Sequence, residues 1–180
     1  MLNLVYDMCM RTLFITALLT ACASEKEPVK AGGSAPATVE CDPDASPSLI
    51  IGQGTGSEFT ALEEGQSVGL DVAPQGGYGV SVRAKTTGLS TDGTVDVLLE
   101  TAINDVESGS FVNEGTNLYC QEDGTGLLWG VVVGFDPDTF PTPDDLIALD
   151  GNEALLIVEA TDEDGNIASG EVMVTIEVGG

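Results

Sequence analysis

The acidic segment Asp162-Glu163-Asp164-Gly165-Asn166 has side chains that could bind a metal ion. Its oxygens suit Ca²⁺, a hard cation that prefers carboxylate and carbonyl ligands. The spacing differs from that of an EF-hand loop, because glycine stands at the fourth position and Met173 stands where the bidentate glutamate belongs. We therefore predict no dedicated cofactor, take Asp162, Asp164 and Asn166 as a candidate Ca²⁺ site, and keep a plain hairpin turn as the alternative.

The residue types that the chain lacks exclude several kinds of catalytic site. The sequence contains no histidine, which excludes Ser-His-Asp and Cys-His catalytic units and His-ligated zinc. Paired carboxylates could hydrolyse a glycosidic bond if one of them had a raised pKa and its partner stayed ionised. With 30 acidic residues such pairs are inevitable, and no spacing singles one out. The sequence therefore predicts no catalytic residues, and solvated acids on strand faces and turns explain the carboxylates.

Aromatic side chains are the other candidates for ligand contacts, since an aromatic face packs against the apolar face of a sugar ring. Trp129, Tyr78 and Tyr119 are the candidate platforms. Trp129 lies inside the apolar run 127–133 (LLWGVVV), and Tyr78 belongs to an alternating apolar strand, so we predict that both are core residues. Aromatic residues make up 5% of the chain, which leaves few for an exposed binding strip.

The segments that would position these residues have the pattern of β-strands. Apolar and polar residues alternate, with interruptions, over 68–72, 78–85, 95–100 and 171–178. The run 127–133 is apolar on both faces, which predicts a central strand covered on each side, and the run 154–160 (ALLIVEA) is similar but keeps Glu159 facing out. Turn-forming residues separate these runs, and Thr142-Pro143-Asp144-Asp145 predicts a single helical turn. Seven to nine short strands without βα alternation predict an all-β domain of two packed antiparallel sheets over residues 41–180.

The final hairpin, residues 154–178 (ALLIVEATDEDGNIASGEVMVTIEV), resembles the last two strands of bacterial immunoglobulin-like domains. There a strand ending in Ala-Thr-Asp turns through a loop of the Asp-Gly-Asn type into a strand of alternating Val and Thr. The resemblance implies an immunoglobulin-like antiparallel sandwich. Trp129 follows Cys120 instead of lying between the two cysteines of the domain, so the disulfide and packed tryptophan of antibody domains are not carried over.

The N-terminus has the pattern of an export signal. Arg11 supplies a positive charge, and residues 13–19 (LFITALL) form an apolar run shorter than the roughly 20 residues that a membrane-spanning helix needs. Because the first nine residues add an acidic extension before Arg11, we predict that translation begins at Met8 or Met10.

The segment Leu19-Thr20-Ala21-Cys22 resembles a bacterial lipobox. The resemblance implies a signal peptide over residues 1–21, lipidation of Cys22 and, because Ala23 follows the cysteine, retention at the outer membrane. An ordinary secretory signal with an incidental cysteine is the alternative. Residues 22–40 then predict a disordered linker. As a flexible chain it has a root-mean-square end-to-end distance of about 24 Å, which would hold the folded domain off the lipid surface.

Two cysteines, Cys41 and Cys120, follow residue 40 and lie in the predicted exported domain. Disulfides persist in exported proteins, and an even number of cysteines can pair completely. We predict that they bond to each other, which stabilises the fold by about 4 to 5 kcal/mol in the chain-entropy model. Two separate buried thiols are the alternative.

The net charge of -25 comes from 30 acidic residues against five cations. So few cations argue against nucleic acid as a partner. Cleavage before Cys22 removes Asp7 and Arg11, so 29 acids and four cations still give -25, and Arg83 and Lys85 are the only cations after residue 40. Self-repulsion of the acids predicts a domain whose stability rises with added salt or Ca²⁺.

Together these patterns resemble an uncharacterised class of acidic envelope lipoproteins. Our leading hypothesis is a non-catalytic lipoprotein, anchored to the outer membrane and facing the periplasm or the cell surface. Its immunoglobulin-like domain would bind a protein or glycan of the envelope or the surroundings. A divalent-cation or carbohydrate binding module is the alternative, and a carboxylate-based hydrolase is the third hypothesis.

Overall fold

The computed structural model of the protein describes residues 41–42, 44–72 and 77–179. The predicted signal peptide, the predicted lipidation site at Cys22 and the predicted linker up to residue 40 lie outside these described residues. Eleven strands and one short helix make up the elements that are described. They are β1 (Ser48–Gln53), β2 (Thr60–Ala61), β3 (Gln66–Gly69), β4 (Asp71–Val72), β5 (Tyr78–Thr87), β6 (Thr94–Ile103), β7 (Val106–Asn117), β8 (Tyr119–Cys120), β9 (Gly126–Gly134), α1 (Pro143–Ile147), β10 (Glu153–Asp162) and β11 (Ile167–Glu177).

The strands form two sheets. The first sheet has the order β2-β1-β5-β9-β8, with β4 added alongside β5, and the second has the order β3-β11-β10-β6-β7. Every pairing is antiparallel except that of β3 with β11. The prediction of an all-β domain of two mostly antiparallel sheets is confirmed. The alternating run at 68–72, predicted as one strand, is divided at Leu70, because β3 joins the second sheet and β4 joins the first.

The core lies between the two sheets and consists of the inward side chains of alternating positions. In β5 the inward residues Val80, Val82 and Ala84 are buried, and in β10 the inward residues Leu156 and Val158 are fully buried. Each buried valine or leucine side chain stabilises the fold by about 1.5 to 3 kcal/mol relative to an exposed one. Because the strand period is two, this inward pattern fixes which side chains of each strand point outward.

Strand β9 differs from its predicted form as a central strand covered on both faces. It pairs with β5 along most of its length, but with β8 only at Gly126 and Leu127. Trp129 and Gly130 stand together opposite Arg83, which is a β-bulge, and Gly130 has a φ of 67° that glycine adopts without strain. Trp129 follows the inward Leu128 and lies on the outward side of the sheet, with 43% of its surface exposed, and the bulge returns Val131 to the core. The prediction that Trp129 is a core residue was therefore wrong.

The predicted helical turn is present as α1 and extends to Ile147. Thr142 caps it by accepting a hydrogen bond from the Asp145 backbone N–H, and the Asp145 carboxylate accepts one from the Thr142 backbone N–H at 3.0 Å. This reciprocal capping box, with proline at the first helical position, explains why so short a helix forms here.

Candidate ligand-binding face

Both cations of the folded domain lie on the outward side of the first sheet. Arg83 and Lys85 stand at alternate positions of β5, on either side of the fully buried Ala84, so their side chains leave the same face. No other lysine or arginine follows residue 40. The positive side chains of an otherwise acidic domain are thus concentrated on one surface, which we call the outer face.

An aromatic stack crosses this outer face. The rings of Tyr119 and Trp129 lie nearly parallel, with an interplanar angle of 18° and centroids 4.6 Å apart. The guanidinium carbon of Arg83 lies 5.9 Å from the centroid of the Trp129 ring. Because β9 runs between β5 and β8, Arg83 and Tyr119 reach Trp129 from neighbouring strands on opposite sides. A ring pair of this kind contributes about 0.5 to 1.5 kcal/mol and an exposed cation–π contact about 0.5 to 1 kcal/mol.

The loop 54–59, between β1 and β2, folds onto the outer face and is held there by Arg83. The guanidinium donates hydrogen bonds to the backbone oxygens of Gly56, at 2.5 Å, and Glu58, at 3.1 Å. The ring of Phe59 lies against Gly52 of β1, where an added Cβ would come within 2.6 Å of two ring atoms. Glycine at this position therefore permits the close approach of Phe59.

The opposite boundary of the outer face is the turn 121–125, which Lys85 holds in place. The Nζ atom of Lys85 lies 2.6 Å from Oδ2 of Asp123 and 5.7 Å from the centroid of the Phe59 ring. Asp123 also accepts hydrogen bonds from the hydroxyl and the backbone N–H of Thr125. The ammonium of Lys85, followed by the Thr125 hydroxyl, lowers the pKa of Asp123 from 3.8 to about 2. Asp123 is therefore ionised at neutral pH and unsuited to donating a proton as a general acid.

Between the loop and the turn lies an open cavity of about 540 Å³, which we call the outer groove. Its lining comprises Ser57, Phe59, Lys85, Cys120, Gln121, Glu122, Asp123 and Leu127. Leu127 is 1% exposed although it points outward, so the groove residues cover it. An aromatic ring, an aliphatic floor and hydroxyl, amide, ammonium and carboxylate groups thus converge on one space, as in sites that bind small polar ligands.

The predicted cysteine pair borders this groove. The structure brings Cys41 and Cys120 to disulfide-bonding distance, with their Cα atoms 5.6 Å apart. The link joins the segment that precedes β1 to strand β8, next to Tyr119. The predicted pairing therefore ties the strand that carries Tyr119 to the segment before β1.

The three residues of the predicted Ca²⁺ site come together at the β10–β11 turn, where they form hydrogen bonds to one another. The Asp162 carboxylate accepts bonds from the backbone N–H groups of Ser90, Asp164 and Asn166 and from the side-chain amide of Asn166, at 2.8 to 3.0 Å. Burial opposes the ionisation of Asp162, but these donors outweigh it and hold its pKa below the usual range. Among residues 41–42, 44–72 and 77–179, no three His, Cys, Asp or Glu side chains form a group that could hold a metal. The Ca²⁺ site stays a prediction, which calorimetric titration tests.

Sequence reasoning placed Tyr78 correctly beside the core but missed the outer face. The alternation of Arg83 and Lys85 was a readable signal for it, and so was the Trp129-Gly130 pair, because glycine inside a strand often marks a bulge. The packing of Phe59 over Gly52 depends on a loop that carries no periodic pattern.

No protein-family model and no curated protein sequence matches the chain. Within the described part of the chain, no helix is both long and apolar enough to cross a membrane.

Proposed function

We propose that the protein is a non-catalytic lipoprotein of the bacterial outer membrane, anchored through Cys22, and that its domain binds a saccharide of the envelope or the surroundings. The observation that carries the binding proposal is the stack of Tyr119 and Trp129, whose residues are 44% and 43% exposed beside the outer groove. A ligand that covers these rings gains about 25 cal/mol for each Å² of apolar surface removed from water.

We further propose that the domain is immunoglobulin-like, and the strand order supports this. The run β1-β5-β9-β8 corresponds to the A-B-E-D sheet of such domains, and β11-β10-β6-β7 corresponds to the G-F-C-C′ sheet. In this assignment the outer face belongs to the A-B-E-D sheet, and the Cys41–Cys120 link takes no part in the usual connection between the sheets.

The exposed rings and the polar groups beside them suit a saccharide. Arg83 and Tyr119 approach Trp129 from opposite sides, so a ligand can cover the face of Tyr119 turned away from Trp129 together with the part of Trp129 that stays exposed. Strand β8 is the last strand of its sheet among the described residues, and no other described strand lies beyond that face. Next to it, Gln121 and Glu122 offer amide and carboxylate groups that suit sugar hydroxyls.

The negative charge of the domain indicates which saccharides it can bind. Lys85 is already paired with Asp123, and Arg83 already donates to two backbone oxygens. With a chain charge of -25, a polyanionic glycan is repelled at low salt. The expected ligand is therefore a neutral saccharide.

Binding of the purified domain to immobilised neutral glycans tests this function. We expect capture by at least one neutral glycan and a loss of about tenfold in affinity for Tyr119→Ala, which removes the free ring face. Val112→Ala is the matched control, because Val112 is an exposed apolar residue, 59% accessible, on the other sheet. If no glycan captured the domain, or if both variants bound like the wild type, the proposed ligand would be wrong.

The anchor is tested separately by fractionation of cells. A Cys22→Ala variant should leave the membrane fraction and appear in a soluble one, since it lacks the thiol that receives the lipid. Retention of the variant in the membrane fraction would contradict the lipoprotein assignment without bearing on the saccharide.

A further inference from the structure

The outward side of the second sheet carries a diagonal band of partly or fully exposed apolar side chains. Leu155 of β10 lies opposite Met173 of β11, and Leu98 of β6 lies opposite Val112 of β7. Ile157 stands between these two pairs on β10. The side chains on β6, β10 and β11 leave the face that is turned away from the core, because their strand neighbours on the inward positions are buried, and Val112 leaves the same face because it lies opposite Leu98. We call this band the apolar stripe.

Acidic side chains flank the apolar stripe at the other outward positions. One row across three strands reads Glu171, Ile157, Glu100, and in the next row Glu159 lies opposite Leu98. Further acids on outward positions of the same strands are Asp96, Glu153 and Glu177. Arg83 and Lys85, the only cations after residue 40, both belong to the other sheet. Within residues 41–42, 44–72 and 77–179, the face therefore combines apolar surface with negative charge that has no cation beside it.

This combination narrows the kind of molecule that fits the face. A second copy of the chain would bring the same acids against this face, and an anionic lipid surface would be repelled in the same way. The stripe is built from aliphatic and thioether side chains, so it lacks the aromatic ring face on which a sugar stacks. Apolar contact at the centre with opposite charges around it is the pattern of a protein–protein interface.

We propose that the apolar stripe docks a cationic protein segment that places aliphatic side chains between lysine or arginine residues. In this arrangement the aliphatic side chains cover Ile157 and its neighbours, and the cations meet Glu100, Glu159 and Glu171. This interface lies on the opposite sheet from the outer groove, so it does not depend on the proposed saccharide function.

A soluble peptide of alternating lysine and leucine is the probe for this interface, with one peptide of lysine and serine and another of glutamine and leucine as comparisons. Isothermal titration should show at least about tenfold tighter binding of the lysine–leucine peptide than of either comparison, since only that peptide supplies both charge and apolar contact. Raising the salt concentration should weaken this binding. Equal binding of the lysine–serine peptide would overturn the role of the stripe.

Matched variants separate docking on this face from general attraction to an acidic domain. The pair Glu100→Gln with Glu171→Gln removes the two charges that flank Ile157, and Asp92→Asn with Asp138→Asn removes two exposed charges elsewhere. We expect about a tenfold loss of affinity for the first pair and less than a twofold change for the second. Ile157→Thr, which keeps a β-branched side chain, should also weaken binding. Equal losses for the two charge pairs, or unchanged binding by Ile157→Thr, would overturn the proposal.

Discussion

The carboxylate of Asp162 connects two distant parts of the chain. It is 5% exposed and accepts four hydrogen bonds, three from within the β10–β11 turn and one from the Ser90 backbone N–H, 72 residues away. Replacing Asp162 with alanine leaves all four donors without this acceptor. All four hydrogen bonds are partly buried, but Asp164 itself is exposed, so water replaces part of the contact that its backbone N–H loses.

The expected cost of Asp162→Ala follows from these partners. Hydrogen bonds to a charged group contribute about 1.5 to 3 kcal/mol each, and the turn donors recover part of their loss through water. We therefore expect the free energy of unfolding to fall by about 3 kcal/mol. The control is Asp164→Ala in the same turn, because the exposed Asp164 takes part there through its backbone N–H. That variant should change the stability by less than about 0.5 kcal/mol.

Chemical denaturation, followed by circular dichroism and extrapolated to water, measures both variants. The pH dependence gives a second check. The pKa of Asp162 is lower in the folded protein than the value of about 3.9 in an unfolded chain. Its contribution to stability is thus present above that value and is lost as the pH falls through the folded-state pKa. The gap between wild type and Asp162→Asn should accordingly narrow below about pH 4. A loss under about 1 kcal/mol for Asp162→Ala, or equal losses for the two alanine variants, would refute this reasoning.

Three further predictions concern stability. Cys120→Ser should lower the free energy of unfolding by about 4.5 kcal/mol, the chain-entropy value for a sequence separation of 79 residues. The native domain should gain 2 Da on reduction, and an unchanged mass would rule out the bond. Asp105→Gly should raise the free energy of unfolding by up to about 1 kcal/mol. The reason is that Asn104 and Asp105 have φ of 51° and 63° in the β6–β7 turn, which glycine adopts more easily than aspartate. A lower free energy of unfolding would show that the Asp105 side chain stabilises the turn. The melting temperature should rise by several degrees between about 0.05 and 0.5 M NaCl, since salt screens the acids; a flat profile would contradict the self-repulsion argument.

The two-sheet fold could be read from the sequence in long strands with a clear apolar pattern. Residues of β5 and β11 alternate because one side packs on the core, and the prediction placed them correctly, whereas the run of β10 is apolar at inward positions and also at partly exposed outward ones. Strand β7 was missed, since ten of its twelve residues are at least partly exposed and only Ser108 and Gly109 are buried. The two-residue strands β2, β4 and β8 are too short to form a pattern.

The candidate site was harder to predict, because an unbroken apolar run does not show which of its residues point outward. Trp129 has the sequence pattern of a core residue, but it follows the inward Leu128 and so points outward, and the bulge at Gly130 returns Val131 to the core. Arg83 and Lys85 were visible as outward residues of one strand. Their partners, the backbone of loop 54–59 and the carboxylate of Asp123, lie 25 to 38 residues away in the chain. Contacts between residues so far apart in the chain form only in the folded domain, so the spacing of residues in the sequence does not reveal them.

The central claim is that the stack of Tyr119 and Trp129 borders a saccharide site, and the single tryptophan of the chain reports on it directly. Titration of the purified domain with the neutral saccharide that captures it should shift the fluorescence of Trp129 along a saturable curve. The same saccharide should also protect Trp129 from quenching by acrylamide, since a ligand on the stack shields a residue that is 43% exposed. Capture of the saccharide with unchanged emission and unchanged quenching would place the site elsewhere and contradict the account.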